Sequence, residues 1–211
     1  VRDYRDQVAE VYFPWPHLPS GRASLNVSRG LVDWTAQARL EADLTALRAL
    51  GVSLDLLLNA NCYGGKAVSL QLENEVGSLL AHLDDCIGGV DSVTTASLAV
   101  ARTVKRHFPK VDVRASVNMR IGTPSAMGYV AGLFDSFCLQ RDLQRNLAHL
   151  LRLREWTAAN GKRLCLLANS GCLRFCPGQV FHDNMVAHEV EIDETANIPN
   201  WTPHVCWNLY R

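Results

Sequence analysis

The stretch ANSGCLRFCPGQVFHDNMVAHE, residues 168 to 189, holds Cys172, Cys176, His182, Asp183 and His188 directly behind a strongly apolar run. Thiolates are soft ligands suited to zinc and iron–sulfur clusters, while imidazole serves zinc or acts as a base. Pro177 follows Cys176, as a proline follows the ligand cysteine in some iron–sulfur loops. Three chemistries fit these residue types: a metal or cluster site, a cysteine nucleophile with His182 as its base, and a solvated polar loop. A C-x3-C pair cannot close a site alone, so the partners must come from elsewhere in the chain. The other cysteines are Cys62, Cys86, Cys138, Cys165 and Cys206.

Composition narrows the setting. The chain has 211 residues, 48% hydrophobic and 20% charged, which predicts an ordinary globular protein with one sizeable core. Lys and Arg number 21 and so do Asp and Glu, so the overall field does not point to nucleic acid or an anionic membrane. Seven cysteines are an odd number and too sparse for a disulfide scaffold. The sequence has no run of 18 apolar residues and begins without a signal-peptide pattern, which predicts a cytoplasmic protein with no membrane partner.

The elements that must position the cysteines alternate in type. Strands are predicted at 8–16, 52–62, 90–96, 111–119, 135–140 and 162–172, and helices at 33–51, 69–87, 97–109, 123–134 and 146–161. Asp33 reads as a helix N-cap, Gly51 as a helix stop, and Pro124 as a first-turn proline. Strands alternating with helices give an α/β fold. No phosphate-binding glycine fingerprint follows the first strand, which favours a (β/α)8 TIM-barrel-like chain over a nucleotide-binding doubly wound sheet. A full barrel takes about 250 residues. About six β/α units are therefore expected: an incomplete barrel over 1–189, with 190–211 as an irregular C-terminal segment.

Reactive groups in such folds collect at the carboxyl ends of the strands. Polar residues stand there: Asn59, Asn61 and Cys62, then Ser97, Asn118 and Arg120, then Gln140 and Arg141, and finally Asn169 and Cys172. Cys138 and Cys165 lie inside strands and Cys86 inside a helix, so these three are expected in the core. Cys62 and Cys172 stand at strand ends, Cys176 follows Cys172 by four and Cys206 sits in the irregular tail; these four are the candidates for a metal, with His182, His188 and His204 available to zinc or as bases.

The order of parts resembles the U32 (collagenase-like) peptidase family. The resemblance is carried by VDSVTTASLAVARTVKRHFPKVDVRASVNM, DSFCLQRDLQRNLAHLLRLREW and KRLCLLANSGCLRFC, and it spans about residues 8 to 180. It implies a barrel and, by likeness to members that support oxygen-independent hydroxylation, a 4Fe-4S cluster. Cys62 matches the early ligand and Cys172 the first late one. Cys176 and Cys206 are the remaining cysteines, at spacings that depart from the family pattern. The implied function is a redox or hydroxylation-type modification of a small molecule or modified polymer. His182, Arg120 and Arg141 would be catalytic, and Asn59, Asn118, Asn169 and Asp183 would bind substrate. Two alternatives stay open: a peptidase-like or amidase-like hydrolase using Cys172 or zinc, and a non-catalytic barrel subunit completed by a partner.

Overall fold

The computed structural model describes residues 2–4, 6–16, 18–21, 33–188 and 198. Six strands run in parallel: β1 (Glu10–Pro14), β2 (Ser53–Leu58), β3 (Ser92–Thr95), β4 (Asp112–Ala115), β5 (Ser136–Cys138) and β6 (Arg163–Cys165). Among the described residues each hydrogen-bonds only to its neighbours in the sequence, in the order β1-β2-β3-β4-β5-β6. A doubly wound sheet reverses its strand order at a switch point, and this one does not. Crossovers of one hand place every helix on the same side of such a sheet. The architecture is an open, TIM-barrel-like α/β fold of six units.

Local signals set the helices. The Asp33 carboxylate accepts from the Thr35 and Ala36 amides and starts α1 (Trp34–Ala49), after which Gly51 turns at φ 78°. Ser69 caps α2 (Leu70–Ile87), Ser97 caps α3 (Leu98–His107), Thr123 caps α4 (Pro124–Val130) and Asn146 caps α5 (Leu147–Ala159). In each case the side chain satisfies an amide that the first turn leaves unpaired. One further helix, α6 (Gln179–Ala187), forms where a polar loop or short amphipathic segment was expected. The expected irregular segment 190–211 lies outside the described residues apart from Ile198.

Strand register sorts the side chains onto two unlike faces. Leu54, Leu56, Leu58, Val93, Val113, Ala115 and Phe137 are fully enclosed on the helix-covered face, against α2 residues such as Leu72, Val76 and Leu83. The alternate residues, from Glu10 and Asp55 through Ser92, Thr94, Asp112, Arg114 and Ser136 to Cys138, Arg163 and Cys165, form a polar inner face. Arg114 is its hub. Its guanidinium donates to both Glu10 carboxylate oxygens at 2.6 and 2.9 Å and to Asp55 Oδ2 at 3.1 Å, and Thr94 Oγ1 donates to the same Asp55 oxygen at 2.7 Å. Ser136 Oγ donates to Asp112 Oδ1 at 2.8 Å, and Arg163 pairs with the other Asp112 oxygen.

Asp55 turns inward from the middle of β2. The structure corrects the expectation that Cys138, Cys165 and Cys86 lie in the core. Cys138 and Cys165 do lie in strands, but they stand in register as half-buried neighbours on the polar face, outside the apolar core. Cys86 is exposed on α2.

Asp55 is 2% exposed, and burial pushes its carboxyl up despite Arg114 and Thr94, whereas Arg114 is held charged first of all by Glu10. A carboxyl raised by folding binds protons more tightly in the folded state, so its contribution to stability falls as pH rises through the folded pKa. Arg114→Met would leave the buried Asp55 carboxylate unpaired. The expected cost is about 3 kcal/mol at neutral pH, and the deficit shrinks on acidification as Asp55 takes up its proton. Urea unfolding of both proteins across the acid-to-neutral range measures this; a deficit independent of pH contradicts it.

Candidate functional site at the strand carboxyl ends

Four residues expected at the site are joined in one chain of hydrogen bonds. The Gly21 amide donates to Asn59 Oδ1 at 2.7 Å, just beyond β2. Asn118 Nδ2, beyond β4, donates to the Asn59 carbonyl at 3.1 Å. Arg141, beyond β5, donates from Nη2 to Asn118 Oδ1 at 3.2 Å and from Nη1 to Cys172 Sγ at 3.1 Å. Residues from three strand ends and the loop after β6 thus meet across the mouth of the open barrel. A Cβ on Gly21 would come within 2.6 Å of Asn118 Nδ2 and 3.2 Å of Asn59 Nδ2, so glycine is what lets the chain after β1 lie on these amides.

The other expected residues surround this line. Cys62 Sγ accepts the Gly64 N–H at 3.4 Å in the loop after β2. Half-buried Asp183, on α6, faces the charges of Arg141 and Arg120. Burial pushes its carboxyl up, against the pull of Arg141, His182, Gln179 and Arg120, and its Oδ2 is buried without a hydrogen-bonding partner among the described residues. His182 is half-buried beside it. A Cβ on Gly64 would lie 4.0 Å from His188 Cε1, so the last turn of α6 reaches the loop that carries Cys62. Arg120 is exposed in the left-handed region at φ 54°, and Asn169 is exposed beyond β6. Cys206 and His204 lie outside the described residues. Cys62, Cys172 and Cys176 do not gather their sulfurs within 4.8 Å as a group of three.

Two features escaped the sequence reading. Asp142 anchors the cysteine loop: its carboxylate accepts from the Phe175 amide at 2.5 Å and from Gln140 Nε2 at 2.8 Å, while its carbonyl accepts from Arg174 Nε at 3.1 Å. Phe175 holds φ 55°, a left-handed conformation that a non-glycine residue keeps only when its surroundings fix it. An aspartate directly after Arg141, four residues beyond the end of β5, has no pattern that marks it in advance. The second is the Cys138–Cys165 pair beneath the mouth. A hydrogen bond from Cys138 and the charge of Arg114 lower the Cys165 thiol pKa against burial, and the same bond with burial raises that of Cys138. Polar residues alternating along the strands could have signalled this inner face.

The chain matches no family model and no curated protein. Its fold matches the solved structure of the U32 peptidase Mk0906, with a TM-score of 0.70 at 19% identity, over 94% of this chain and 78% of that one. The two share the fold, as the sequence resemblance implied. No helix among the described residues is long and apolar enough to cross a membrane.

The Phe175 N–H, then Gln140 and Arg120, hold the Asp142 carboxyl below the usual carboxylate range despite burial. A depressed carboxyl stabilises while it is ionised, and that contribution is lost as pH falls through its folded pKa. Asp142→Ala should raise hydrogen exchange of the Phe175 amide at pH 7 by at least about tenfold, the scale of a hydrogen bond to a charged group. Unchanged exchange in the variant would show that the loop is anchored elsewhere.

Proposed function

We propose that the chain is a U32-like protein whose strand-end mouth holds a 4Fe-4S cluster on Cys62, Cys172, Cys176 and Cys206. In this reading it supports a redox, hydroxylation-type modification of its substrate. The observation that carries the reading is the position of Arg141, whose guanidinium joins Cys172 Sγ to Asn118 Oδ1. A fixed cation donating to a sulfur is the kind of outer-shell contact that orients a ligand and tunes a cluster. Cys62 also accepts an N–H bond, from Gly64. Cysteine sulfur suits the group in kind, the three described sulfurs would have to draw together to bind it, and Cys206 joins the set through the family resemblance alone. When bound, such a cluster supplies electron transfer at a potential set by hydrogen bonds to its sulfurs and by nearby charge.

The chain's own residues have separate tasks in this reading. Asn59 and Asn118 present amides that orient a polar substrate, with Asn169 at the rim. Arg120 and Arg141 attract an anionic group. Asp183, with its carboxyl pushed up by burial and close to His182, is placed to hold or release a proton at the α6 side of the mouth. The hydrolytic alternative is less well supported, because a cysteine nucleophile needs a neighbouring base. The group bonded to Cys172 is a guanidinium, which has no acceptor site for a proton.

A second reading has its own observation. Among the described residues β6 pairs only with β5, and a cavity of ≈810 Å³ lies along β6 and α5, where Leu147, Leu151 and Leu166 are at least half exposed. That surface is of the kind a further β/α unit would cover, as in a barrel subunit completed by a partner.

Anaerobically prepared protein should be brown, with iron and sulfide at about four each per chain. Cys62→Ser and Cys172→Ser should each lose most of the iron, and Arg141→Leu should keep it with a lower midpoint potential, because the removed cation favours the reduced cluster. Protein that stays colourless and iron-free after reconstitution overturns the reading, and zinc lost specifically in Cys172→Ser would favour the hydrolase. A monomer active without any co-purifying chain counts against partner completion.

A further inference from the structure

We infer that Glu41 of α1 and His82 and Cys86 of α2 form a zinc site that pins these two helices together, separate from the mouth of the barrel. Among the described residues this is the one group of three His, Cys, Asp or Glu side chains whose ligand atoms all lie within 4.8 Å of one another. His82 and Cys86 are four residues apart on α2, so both project from one face one helical turn apart. Glu41 reaches that face from α1, with Oε1 2.8 Å from His82 Nε2. The backbone therefore already supplies the convergence that a metal site requires.

The donor set selects the ion. One thiolate, one imidazole and one carboxylate match zinc, whereas magnesium and calcium take oxygen ligands. The ionised Glu41 and Cys86 side chains would neutralise a dication. Zinc bonds of about 2.0 to 2.3 Å in a tetrahedron separate neighbouring ligand atoms by roughly 3.3 to 3.6 Å. Rotamer adjustment within the present 4.8 Å spread reaches that range.

The surroundings suit such a site. Gln37 Nε2 donates to Glu41 Oε1 at 2.8 Å, and hydrogen bonds from His82 and Gln37 hold the carboxyl below its usual range, so Glu41 is a charged, oriented ligand. Buried Trp15 meets the His82 ring edge-on, with centroids 5.9 Å apart, and limits its rotation. His82 and Cys86 are exposed, which gives the ion a path in and leaves the fourth coordination position to water. An exposed cysteine is itself uncommon, since free cysteines are among the most buried residues. Binding would release the Cys86 thiol proton to solvent and would require the imidazole proton on Nδ1, leaving Nε2 to bind the ion.

Cobalt substitution of the full chain, with zinc affinity measured by chelator competition, tests the site. The parent protein should bind cobalt with a thiolate-to-cobalt charge-transfer band. Cys86→Ser should abolish that band, and His82→Ala and Glu41→Gln should each weaken zinc by at least about tenfold, a scale felt even for outer-shell partners. Glu41→Gln retains an acceptor for His82, so its circular dichroism should match the parent and separate lost binding from lost folding. The triple variant Cys62→Ser, Cys172→Ser, Cys176→Ser should keep the band, which distinguishes this site from a metal at the mouth. A band that persists in Cys86→Ser, disappears in the triple variant, or is absent from the parent overturns the inference.

Discussion

Arg114 makes a polar inner face compatible with a packed sheet. From β4 it ties Glu10 on β1 and Asp55 on β2, and Thr94 on the intervening β3 donates to the same Asp55 oxygen, so one polar network centred on the cation joins four parallel strands. The pairing also opposes register errors. A one-residue slip of any of these strands would turn its leucines or valines inward and its charged residues into the helix-covered core. Burial of Leu54, Leu56, Leu58 and Val93 on one face and ion pairing on the other therefore specify the same register.

The mouth inherits its geometry from that sheet. Asn59, Asn118 and Arg141 meet because β2, β4 and β5 end at matched heights, and Cys172 is drawn into the line by Arg141. The loop that carries Cys172 and Cys176 has little regular structure of its own and depends on Asp142, a buried carboxylate fixed from the end of β5. α6 then brings Asp183 and His182 towards two arginines. Scaffold, anchor and reactive groups form a hierarchy in which the sheet determines what the loops can present.

Helix starts were legible where one local side chain sets them: Asp33 caps as its position implies, and the helices expected from 69, 97 and 146 begin behind the caps Ser69, Ser97 and Asn146. Strand ends were legible too, and Asn59, Asn118, Arg141 and Cys172 fall together as the fold class required. The polar inner face was harder to see. β5 and β6 have only three residues each, too few for alternation to register, and Cys138 and Cys165 sit among Phe and Leu in the sequence. Cys86 lies inside a helix and for that reason was expected in the core, yet its position falls on the exposed side of α2. α6 was missed because its polar sequence begins after Gly178, which offers no side-chain cap. Asp142 acts through a contact 33 residues away, which local reading cannot anticipate.

The proposed cluster requires the cysteines at the carboxyl ends of the strands to converge on iron. Anomalous diffraction at the iron edge, from crystals grown without oxygen, tests it most directly. The account predicts one iron–sulfur peak at that mouth, beside Arg141, within bonding distance of Cys62, Cys172, Cys176 and Cys206. Sulfurs that remain apart at the mouth of anaerobically reconstituted protein, with no iron signal between them, would contradict it.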